Sequence, residues 1–582
     1  MAVRRGVVFV LVLILAAVAI SMAGLIFMGL MVGRSPQIAS NSTLILQVSG
    51  DLQEVEPSGV LDQFLEPPPT VRSLVDALRK AKVDRRVSSV IIRPTSTAAL
   101  WGKVQEVRDA IVDFRQSKKP IIAFLEYGGD QAYYLASACE KVFLLPTASL
   151  DLTGIASYEL FLRGTLDKIG AFPDALHVGE YKTAANTFTE KGFTPAHKEM
   201  AESLNTDLYG QLIRGLADGR HKSEEEVRKL VDHGPFLPED AVRAGLVDDL
   251  AYEDELDDKV ELGRGRVQYL EQKQYRHIDA STLGLNRGQR IAVIYAVGMI
   301  SSGESNNDST GSQVIGSDTL VSYIRRARAD SSIRAIVLRV DSPGGSAIAS
   351  DVIWRELSLT RDVKPVIASM SDVAASGGYY IAMPAHAIVA QPATLTGSIG
   401  VVSIKFVIDG TLEKLGVNIE GVQQGRYAGM YSPVRQFSPE ERAKMLEVMQ
   451  ATYDAFVEKA AAGRNTTPEK IDAIAQGRVW TGNQAKQLGL VDELGGLDRA
   501  LALAKQRAKI AQDAEVELVI YPPKKSFYEV LTDPLGRTSE GMGAVRALLG
   551  LGDRRVLSTL AAPLQLFRRG EPLAIMPNVF LR

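Results

Sequence analysis

The sequence carries one pattern twice, and this repetition limits its possible folds more than any other feature. Tyr133-Tyr134 recurs 246 positions later as Tyr379-Tyr380, and the run GTLDKIG at 164–170 recurs at the same spacing as GTLEKLG at 410–416. Other matching segments follow in the same order: 89–93 with 335–339, 119–123 with 364–368, and 245–248 with 489–492. Matches in a fixed order at a nearly fixed spacing predict a tandem duplication of one folding unit.

Each copy alternates apolar strands with helical stretches. In the first copy, the apolar runs at 87–93 and 120–125 read as buried strands, and 70–82 and 102–117 have helical character. This alternation predicts an α/β fold with a largely parallel sheet covered by helices. The predicted parts are an N-terminal repeat over 34–285, a C-terminal repeat over 286–520 and a tail over 521–582. The basic and apolar tail could pack on a neighbour, lie at a lipid surface or be loose.

The amino-terminal segment predicts a membrane anchor. Residues 6–33 contain no charged side chain, and as a helix they would reach about 42 Å, against roughly 30 Å for a hydrocarbon core. We expect a transmembrane helix over 7–33 after a short cytoplasmic segment, 1–6. Because Arg4 and Arg5 precede the apolar run, the positive-inside rule places the rest of the chain outside the bacterial inner membrane.

The composition excludes several function classes. A net charge of −3 gives no basic surface for nucleic acid, so we expect no nucleic-acid partner. The six histidines show no metal-ligand spacing and there is no glycine-rich phosphate loop, so neither a metal nor another cofactor is expected. The single cysteine, Cys139, cannot form an intramolecular disulfide.

The segment 371–380, SDVAASGGYY, has the features of a nucleophile turn. An apolar run at 365–370 predicts a strand before it, and 379–383 predicts the start of a helix after it. Small residues at such a junction can leave the Ser376 hydroxyl accessible, and the new helix adds free N–H groups beside it. The alternative is that Ser376 only caps the helix.

The two copies have lost different reactive residues. Ser376 corresponds to Asp130 in the first copy, whereas Lys182 corresponds to Ala428 in the second. The glycine turn 341–345, DSPGG, corresponds to TSTAA at 95–99. The halves are therefore complementary, since one offers a nucleophile and the other an amine.

These residues suggest a serine nucleophile with a lysine base. Ser376 would attack, and Lys182 would accept its proton if burial keeps the amine neutral near pH 7. Gly377 and either Gly344 or Gly345 would supply backbone N–H groups for an oxyanion hole. His386 lies about 15 Å along the same predicted helix, too far from Ser376 to act as the base.

The motifs closely resemble those of the signal peptide peptidase A (protease IV) family. The family motif Asp-x-Ala-Ala-Ser-Gly-Gly-Tyr stands at 372–379, and Gly-x-Tyr-Lys stands at 179–182. The resemblance implies that Ser398, in the run 396–400, lies near the lysine. It also implies a more distant likeness to the Clp-protease/crotonase fold. Asp341 departs from the asparagine that many relatives have before Ser-Pro-Gly-Gly.

The double-length form of this family implies a membrane-anchored serine endopeptidase with a Ser/Lys dyad. Its expected substrates are cleaved signal peptides, and its expected assembly is a homotetramer that encloses a bowl-shaped chamber. Two alternatives stay open: a non-proteolytic oligomeric membrane scaffold, and a crotonase-like acyl-CoA enzyme.

Overall fold

The computed structural model describes residues 38–55, 69–259, 268–307, 313–523, 572–577 and 580–581, together with Ala16. Apart from Ala16, the predicted anchor over 7–33 lies outside the described residues. Within those ranges no helix is long and apolar enough to cross a membrane.

The N-terminal repeat is built on a parallel sheet. Its strands are β1 (Ser42–Gly50), β2 (Val87–Thr97), β3 (Ile121–Leu125), β4 (Gly128–Gly129), β5 (Lys141–Leu144), β6 (Leu150–Asp151), β7 (Ser157–Tyr158), β8 (Phe172–Val178), β9 (Asp249–Leu250) and β10 (Gln268–Glu271). Six of them form the sheet, in the order β10-β1-β2-β3-β5-β9, and every neighbouring pair is parallel.

Helices cover this sheet. They are α1 (Val71–Val83), α2 (Trp101–Arg115), α3 (Asp130–Ala136), α4 (Arg163–Ile169), α5 (Asn186–Thr189), α6 (Pro195–Arg220), α7 (Glu224–His233), α8 (Pro238–Arg243), α9 (Leu256–Lys259) and α10 (Gln272–Tyr275). Thr70 starts α1 with a capping box, and its buried side chains include Val71, Leu74 and Leu78. The apolar face of α1 thus packs into the core of this repeat.

The C-terminal repeat has the same strand order. Its strands are β11 (Gln289–Val297), β12 (Met299–Ser301), β13 (Asn306–Asn307), β14 (Gln313–Gly316), β15 (Ile333–Ser342), β16 (Gly344–Ser346), β17 (Val366–Ala375), β18 (Ala387–Ala390), β19 (Leu395–Gly397), β20 (Val401–Val407), β21 (Val479–Thr481), β22 (Glu493–Leu494) and β23 (Val516–Tyr521). The parallel path β23-β11-β15-β17-β18-β22 repeats that of the first sheet strand for strand. The predicted duplication and α/β class are therefore confirmed.

The C-terminal repeat has its own set of helices, and the longest of them corresponds to α6, the longest helix of the N-terminal repeat. The helices are α11 (Ser317–Ala329), α12 (Ala347–Arg361), α13 (Gly377–Ala382), α14 (Asp409–Lys414), α15 (Pro439–Gly463), α16 (Pro468–Asp472), α17 (Gly482–Gln487) and α18 (Leu497–Arg507). Ser438 and Glu441 form a capping box at the start of α15, and Pro439 occupies its first turn. Met445, Met449 and Phe456 of α15 pack into the core of the C-terminal repeat.

A third sheet joins the two repeats. Strand β8 of the N-terminal repeat pairs antiparallel with β20 of the C-terminal repeat, from Phe172 opposite Val407 to Val178 opposite Val401. The sheet order is β13-β14-β12-β16-β24-β20-β8, where β24 is Leu573–Ile575. Strand β8 thus carries the chain of the N-terminal repeat directly onto the C-terminal repeat.

Strand β24 comes from the C-terminal tail. It pairs antiparallel with β16, and Val402 of β20 faces Leu573 on its other side. Phe580–Leu581, strand β25, pairs with β7 of the N-terminal repeat. The described part of the tail therefore adds strands to both repeats, which the sequence did not indicate.

A buried ion cluster lies between the repeats. Arg339 on β15 is 1% exposed and contacts Glu54 at 2.8 Å and Glu106 at 2.6 Å, both from the N-terminal repeat. Burial opposes the negative charge, but the Arg339 guanidinium outweighs it and lowers the pKa of Glu54 to about 2. The interface thus depends on paired charges as well as on apolar contacts.

Candidate active site

Ser376 occupies a single-residue turn between β17 and α13. The strand continues through Ala375 instead of ending at residue 370, and the helix begins at Gly377, two residues earlier than the sequence suggested. Ser376 has φ 54° and ψ −113°, in the region that non-glycine residues rarely adopt. Its N–H donates to the Gly397 carbonyl at 2.8 Å, and its hydroxyl makes no capping hydrogen bond. The hydroxyl is therefore not used to start the helix.

Lys182 reaches Ser376 from the other repeat. It follows β8, and its Nζ lies 2.8 Å from Ser376 Oγ. The same Nζ donates to the Ser398 carbonyl at 2.8 Å and lies 3.0 Å from Ser398 Oγ. The structure thus brings together three side chains that the sequence analysis selected.

The surroundings of Lys182 disfavour its positive charge. The side chain is 1% exposed, and burial lowers its pKa well below the ordinary value of 10.5. The partners of Nζ, Ser376 and Ser398, are uncharged. A neutral amine at this position can accept a proton from the neighbouring hydroxyl.

Ser398 is held by an unusual backbone conformation. It has φ 51°, and its N–H donates to the Arg478 carbonyl at 2.7 Å. The preceding Gly397 also has a positive φ, 76°. This turn directs both oxygen atoms of Ser398 towards the amine of Lys182.

Three glycines make room for Lys182 and the turn before it, and the sequence analysis selected none of them as a site residue. A Cβ on Gly477 would lie 2.5 Å from the Lys182 backbone nitrogen, and one on Gly400 would lie 3.0 Å from Lys182 Cδ. A Cβ on Gly179 would lie 2.6 Å from the Gln476 carbonyl oxygen. Gly179 and Gly400 stand within quoted motifs, whereas Gly477 has no local sequence signal because its role depends on a contact across 295 positions.

The glycine turn before α12 lies against the start of α13. Gly344 has φ 103°, and a Cβ on Gly377 would be 3.1 Å from both Gly344 Cα and the Gly345 nitrogen. The Gly344 N–H donates to Ser342 Oγ at 3.2 Å. Gly344, Gly345 and Gly377, the residues that the sequence analysis proposed for an oxyanion hole, thus lie together beside Ser376.

Strand β24 covers this turn. Met576 N–H donates to the Pro343 carbonyl at 2.8 Å, and Gly345 stands opposite Ala574. A Cβ on Gly344 would collide with the Ala574 carbonyl oxygen. With this segment in place Ser376 is 0% exposed, so the structure shows a filled cleft.

Met576 belongs to a buried apolar cluster beside Ser376. The cluster contains Ala375, Leu395 and Val479 of the C-terminal repeat, and Met200 and Leu204 of the N-terminal repeat. Both repeats therefore contribute to this cluster, which suits an apolar side chain of an extended peptide.

Each copy has an unreactive residue at the position where the other copy supplies a residue of the candidate site. Asp130, the counterpart of Ser376, accepts hydrogen bonds from the N–H groups of Thr153 and Gly154 at 3.2 and 3.0 Å. Ala428, the counterpart of Lys182, lies on the exposed surface. Only the serine side of one copy and the lysine side of the other are thus assembled into this site.

Sequence comparison identifies the family. Residues 113–265 and 358–511 each match peptidase family S49. The chain belongs to peptidase family S49. Membership of a peptidase family agrees with the geometry of the candidate site. The two matched ranges, one in each half of the chain, agree with the duplication seen in the two sheets.

Relatives of this family match most of the chain. A chloroplastic serine protease SPPA from Arabidopsis thaliana is 38% identical over 82% of this chain and 71% of its own length. Protease 4 from Salmonella typhi is 34% identical over 84% and 78%, and Protease 4 from Haemophilus influenzae is 30% identical over 76% and 74%. This S49 chain is therefore a serine peptidase of double length.

Proposed function

We propose that this S49 peptidase is an endopeptidase with a Ser376/Lys182 dyad. The observation that carries the proposal is the 2.8 Å separation of Lys182 Nζ and Ser376 Oγ inside a buried contact between the repeats. Each repeat is proposed to have the Clp-protease/crotonase-like fold.

In the proposed reaction, neutral Lys182 takes the Ser376 proton as Oγ attacks the peptide carbonyl carbon. The tetrahedral intermediate collapses to an acyl-enzyme, and the Lys182 ammonium returns the proton to the leaving amine. Lys182 then activates a water molecule that releases the acyl group. Ser398 orients the amine through its carbonyl and hydroxyl oxygens.

We assign the oxyanion donors to the N–H groups of Gly377 and Gly345. The Gly344 N–H is already bonded to Ser342 Oγ. Strands β16 and β24 pair antiparallel, with the Met576 N–H donating to the Pro343 carbonyl at one end and the Ala347 N–H donating to the Pro572 carbonyl at the other. Hydrogen-bonded pairs alternate with non-bonded pairs along such a ladder. Gly345 and Ala574, midway between these two bonds, are therefore a hydrogen-bonded pair. The Gly345 N–H therefore faces Ala574 of β24 across the cleft, and it becomes available to an oxyanion when a substrate takes the place of that strand. One such donor is worth about 3–4 kcal/mol of the barrier.

The proposed substrates are cleaved signal peptides at the bacterial inner membrane, with the catalytic region on the extracytoplasmic side. Support comes from the uncharged run over 6–33 and from the apolar cluster that contains Met576. Signal peptides have an apolar central region of about 7–15 residues, which matches a cluster of this character.

We further propose a homotetramer built from repeated head-to-tail contacts. Strand β8 pairs with β20 within the chain, but its counterpart in the second copy, 418–424, is exposed and forms no strand. Val422 and Ile419 of this segment are 98% and 56% exposed. Pairing of this segment with β7 of the next copy would repeat the internal contact, and heterologous contacts of this kind close into rings.

The direct test is cleavage of a synthetic signal peptide by the full-length protein beside two variants. Ser376→Ala and Lys182→Met should each lower kcat by about 10³-fold or more, and the double variant should lose no more, because the two residues act as one unit. Thermal unfolding of each variant controls for folding. Near-normal activity of Lys182→Met would contradict the dyad.

A further inference from the structure

A second lysine of the N-terminal repeat lies against the catalytic half. Lys103, in the first turn of α2, places its Nζ 2.7 Å from Asp341 Oδ2 and 3.7 Å from Asp372 Oδ2. The three side chains are 10%, 13% and 6% exposed. One ammonium group thus faces two nearly buried carboxylates from the other repeat.

Both carboxylates are also bonded to the backbone. Asp372 accepts the N–H groups of Leu100 and Lys103 at 2.8 and 2.7 Å, and this contact fixes β17 to the start of α2. Asp341 accepts the Val373 N–H at 3.1 Å and so joins β15 to β17. The approach is close, since a Cβ on Gly102 would lie 3.0 Å from the Ser371 carbonyl oxygen.

These two aspartates stand next to the elements that hold the reacting groups. Asp341 directly precedes Ser342, whose hydroxyl accepts the Gly344 N–H at the glycine turn. Asp372 lies on β17, four residues before Ser376, which follows the end of that strand. A displacement of either carboxylate would therefore move an oxyanion donor relative to the nucleophile.

Lys103 offsets part of the negative charge of the two carboxylates. Burial works against the charge of Lys103, but Asp341 and Asp372 outweigh it and raise its pKa above the ordinary value, so it stays an ammonium. Burial raises the pKa of Asp372 to about 6. The next charged groups, Glu54, Glu106 and Arg339, are paired with one another. Without Lys103, two carboxylates would face each other with no counterion in contact.

We propose that Lys103 is a positioning residue that sets the geometry of the oxyanion hole through Asp341 and Asp372. The inference rests on the proposed peptidase function and extends it. In this arrangement Lys103 supplies the positive charge that the nearly buried Asp341 carboxylate requires. The N-terminal repeat therefore contributes a base to the serine and a counterion to the turn beside it.

The test is a charge-rescue experiment on the full-length enzyme with a synthetic signal peptide. Lys103→Met should lower kcat by about 10- to 100-fold with KM changed by less than about 3-fold, since the distortion affects the transition state more than peptide binding. Asp341→Asn keeps an oxygen that can accept the Val373 N–H, so alone it should lower kcat less than Lys103→Met does. The double variant Lys103→Met/Asp341→Asn should recover at least about 5-fold in kcat over Lys103→Met.

Lys80→Met is the matched control. Lys80 is another lysine of the N-terminal repeat and is 6% exposed. It donates to the carbonyls of Tyr275 and Ile278, which belong to the same repeat, and not to the carboxylates beside the candidate site. It should lose thermal stability without a selective loss of kcat. Parent-like kcat in Lys103→Met, or a double variant no more active than Lys103→Met, overturns the inference.

The readout remains decisive if Lys103→Met does not fold. In that case the folded, active double variant supports the charge pairing, and an unfolded or inactive double variant overturns it. An inactive parent enzyme, by contrast, counts against the proposed peptidase function itself. The two failures are therefore distinguishable.

Discussion

Lys182 Nζ lies 2.8 Å from Ser376 Oγ, although 194 positions separate the two residues in the chain. Each residue belongs to a different repeat, and strand β8 carries the lysine across the boundary. Duplication has thus allowed each copy to keep one part of the site and lose the other. The consequences can be tested at the dyad, in the filled cleft, at the interface between repeats and at the exposed segment 418–424.

The pH dependence of kcat/KM should report the buried amine. Because burial lowers the pKa of Lys182, the neutral base is present well below pH 10.5, and activity should reach its plateau far below that pH. On the acid side of this plateau, activity falls as the pH falls and the amine is protonated. Initial rates between pH 5 and pH 10 check this, and activity that keeps rising to pH 10 would count against a neutral lysine.

Ser398→Ala should move that acid limb to lower pH. Ser398 Oγ lies 3.0 Å from Nζ and favours the ammonium as an acceptor, so its loss lowers the pKa of Lys182 further. We also expect about 10-fold lower kcat because the amine is less well oriented. Ser403→Ala, at another buried serine of this repeat, should leave the limb in place.

Ala574→Pro should open the cleft. Proline removes the N–H that the antiparallel pair with Gly345 uses, so strand β24 should dock less firmly on β16. Ser376, now 0% exposed, should then react several-fold faster with a fluorophosphonate probe. Ala574→Ser keeps the N–H and should behave as the parent. Equal labelling rates in all three proteins would show that the tail strand does not control access.

Arg339→Met should destabilise the contact between repeats by about 3–5 kcal/mol at pH 7, because Glu54 and Glu106 are left buried without their counterion. With its folded pKa lowered to about 2, Glu54 contributes stability that is present above its ordinary pKa of 4.5 and lost as the pH falls towards 2. In the variant Glu54 loses the guanidinium that lowers its pKa, so its buried carboxylate takes up a proton more readily and the difference from the parent should shrink between pH 7 and pH 5. Denaturant unfolding at both pH values measures it, and a constant difference would contradict this account.

Val422→Glu should break the oligomer. Val422 is 98% exposed in a segment that matches β8 but has no partner strand, and a charge there would be buried in the proposed contact. Sedimentation should show a smaller species for this variant. Val363→Glu, at a valine that is 64% exposed elsewhere in the repeat, should not change the mass. A parent protein that is already monomeric would reject the tetramer.

Much of the fold could be predicted from the sequence, because the pattern of each matching strand occurs twice, once in each copy. Strands predicted at 87–93 and 120–125 appear as Val87–Thr97 and Ile121–Leu125, and the helix predicted at 102–117 appears as Trp101–Arg115. The C-terminal end of β17 was predicted less accurately. The small residues at 371–375 resemble a turn in sequence, although they lie in a buried strand. Local composition does not reveal burial on both faces of a sheet.

The candidate site was predicted as residue types but not as contacts. The reciprocal losses at Ser376 and Lys182 identified the pair, and the structure places them in contact. Contacts between distant segments left no local signal: Gly477 against Lys182, Lys103 against Asp341, and β24 against β16. Each of these depends on how the two repeats dock, which the sequence pattern does not encode at any one position.

The antiparallel pairing of β8 with β20 also has a consequence for biosynthesis. A ribosome completes the half that holds the amine long before it completes the half that holds the hydroxyl. Neither half on its own contains a reactive pair, so the nascent polypeptide stays inert until both are folded and joined. Docking of the two halves is therefore a precondition for the hydrolysis that we propose.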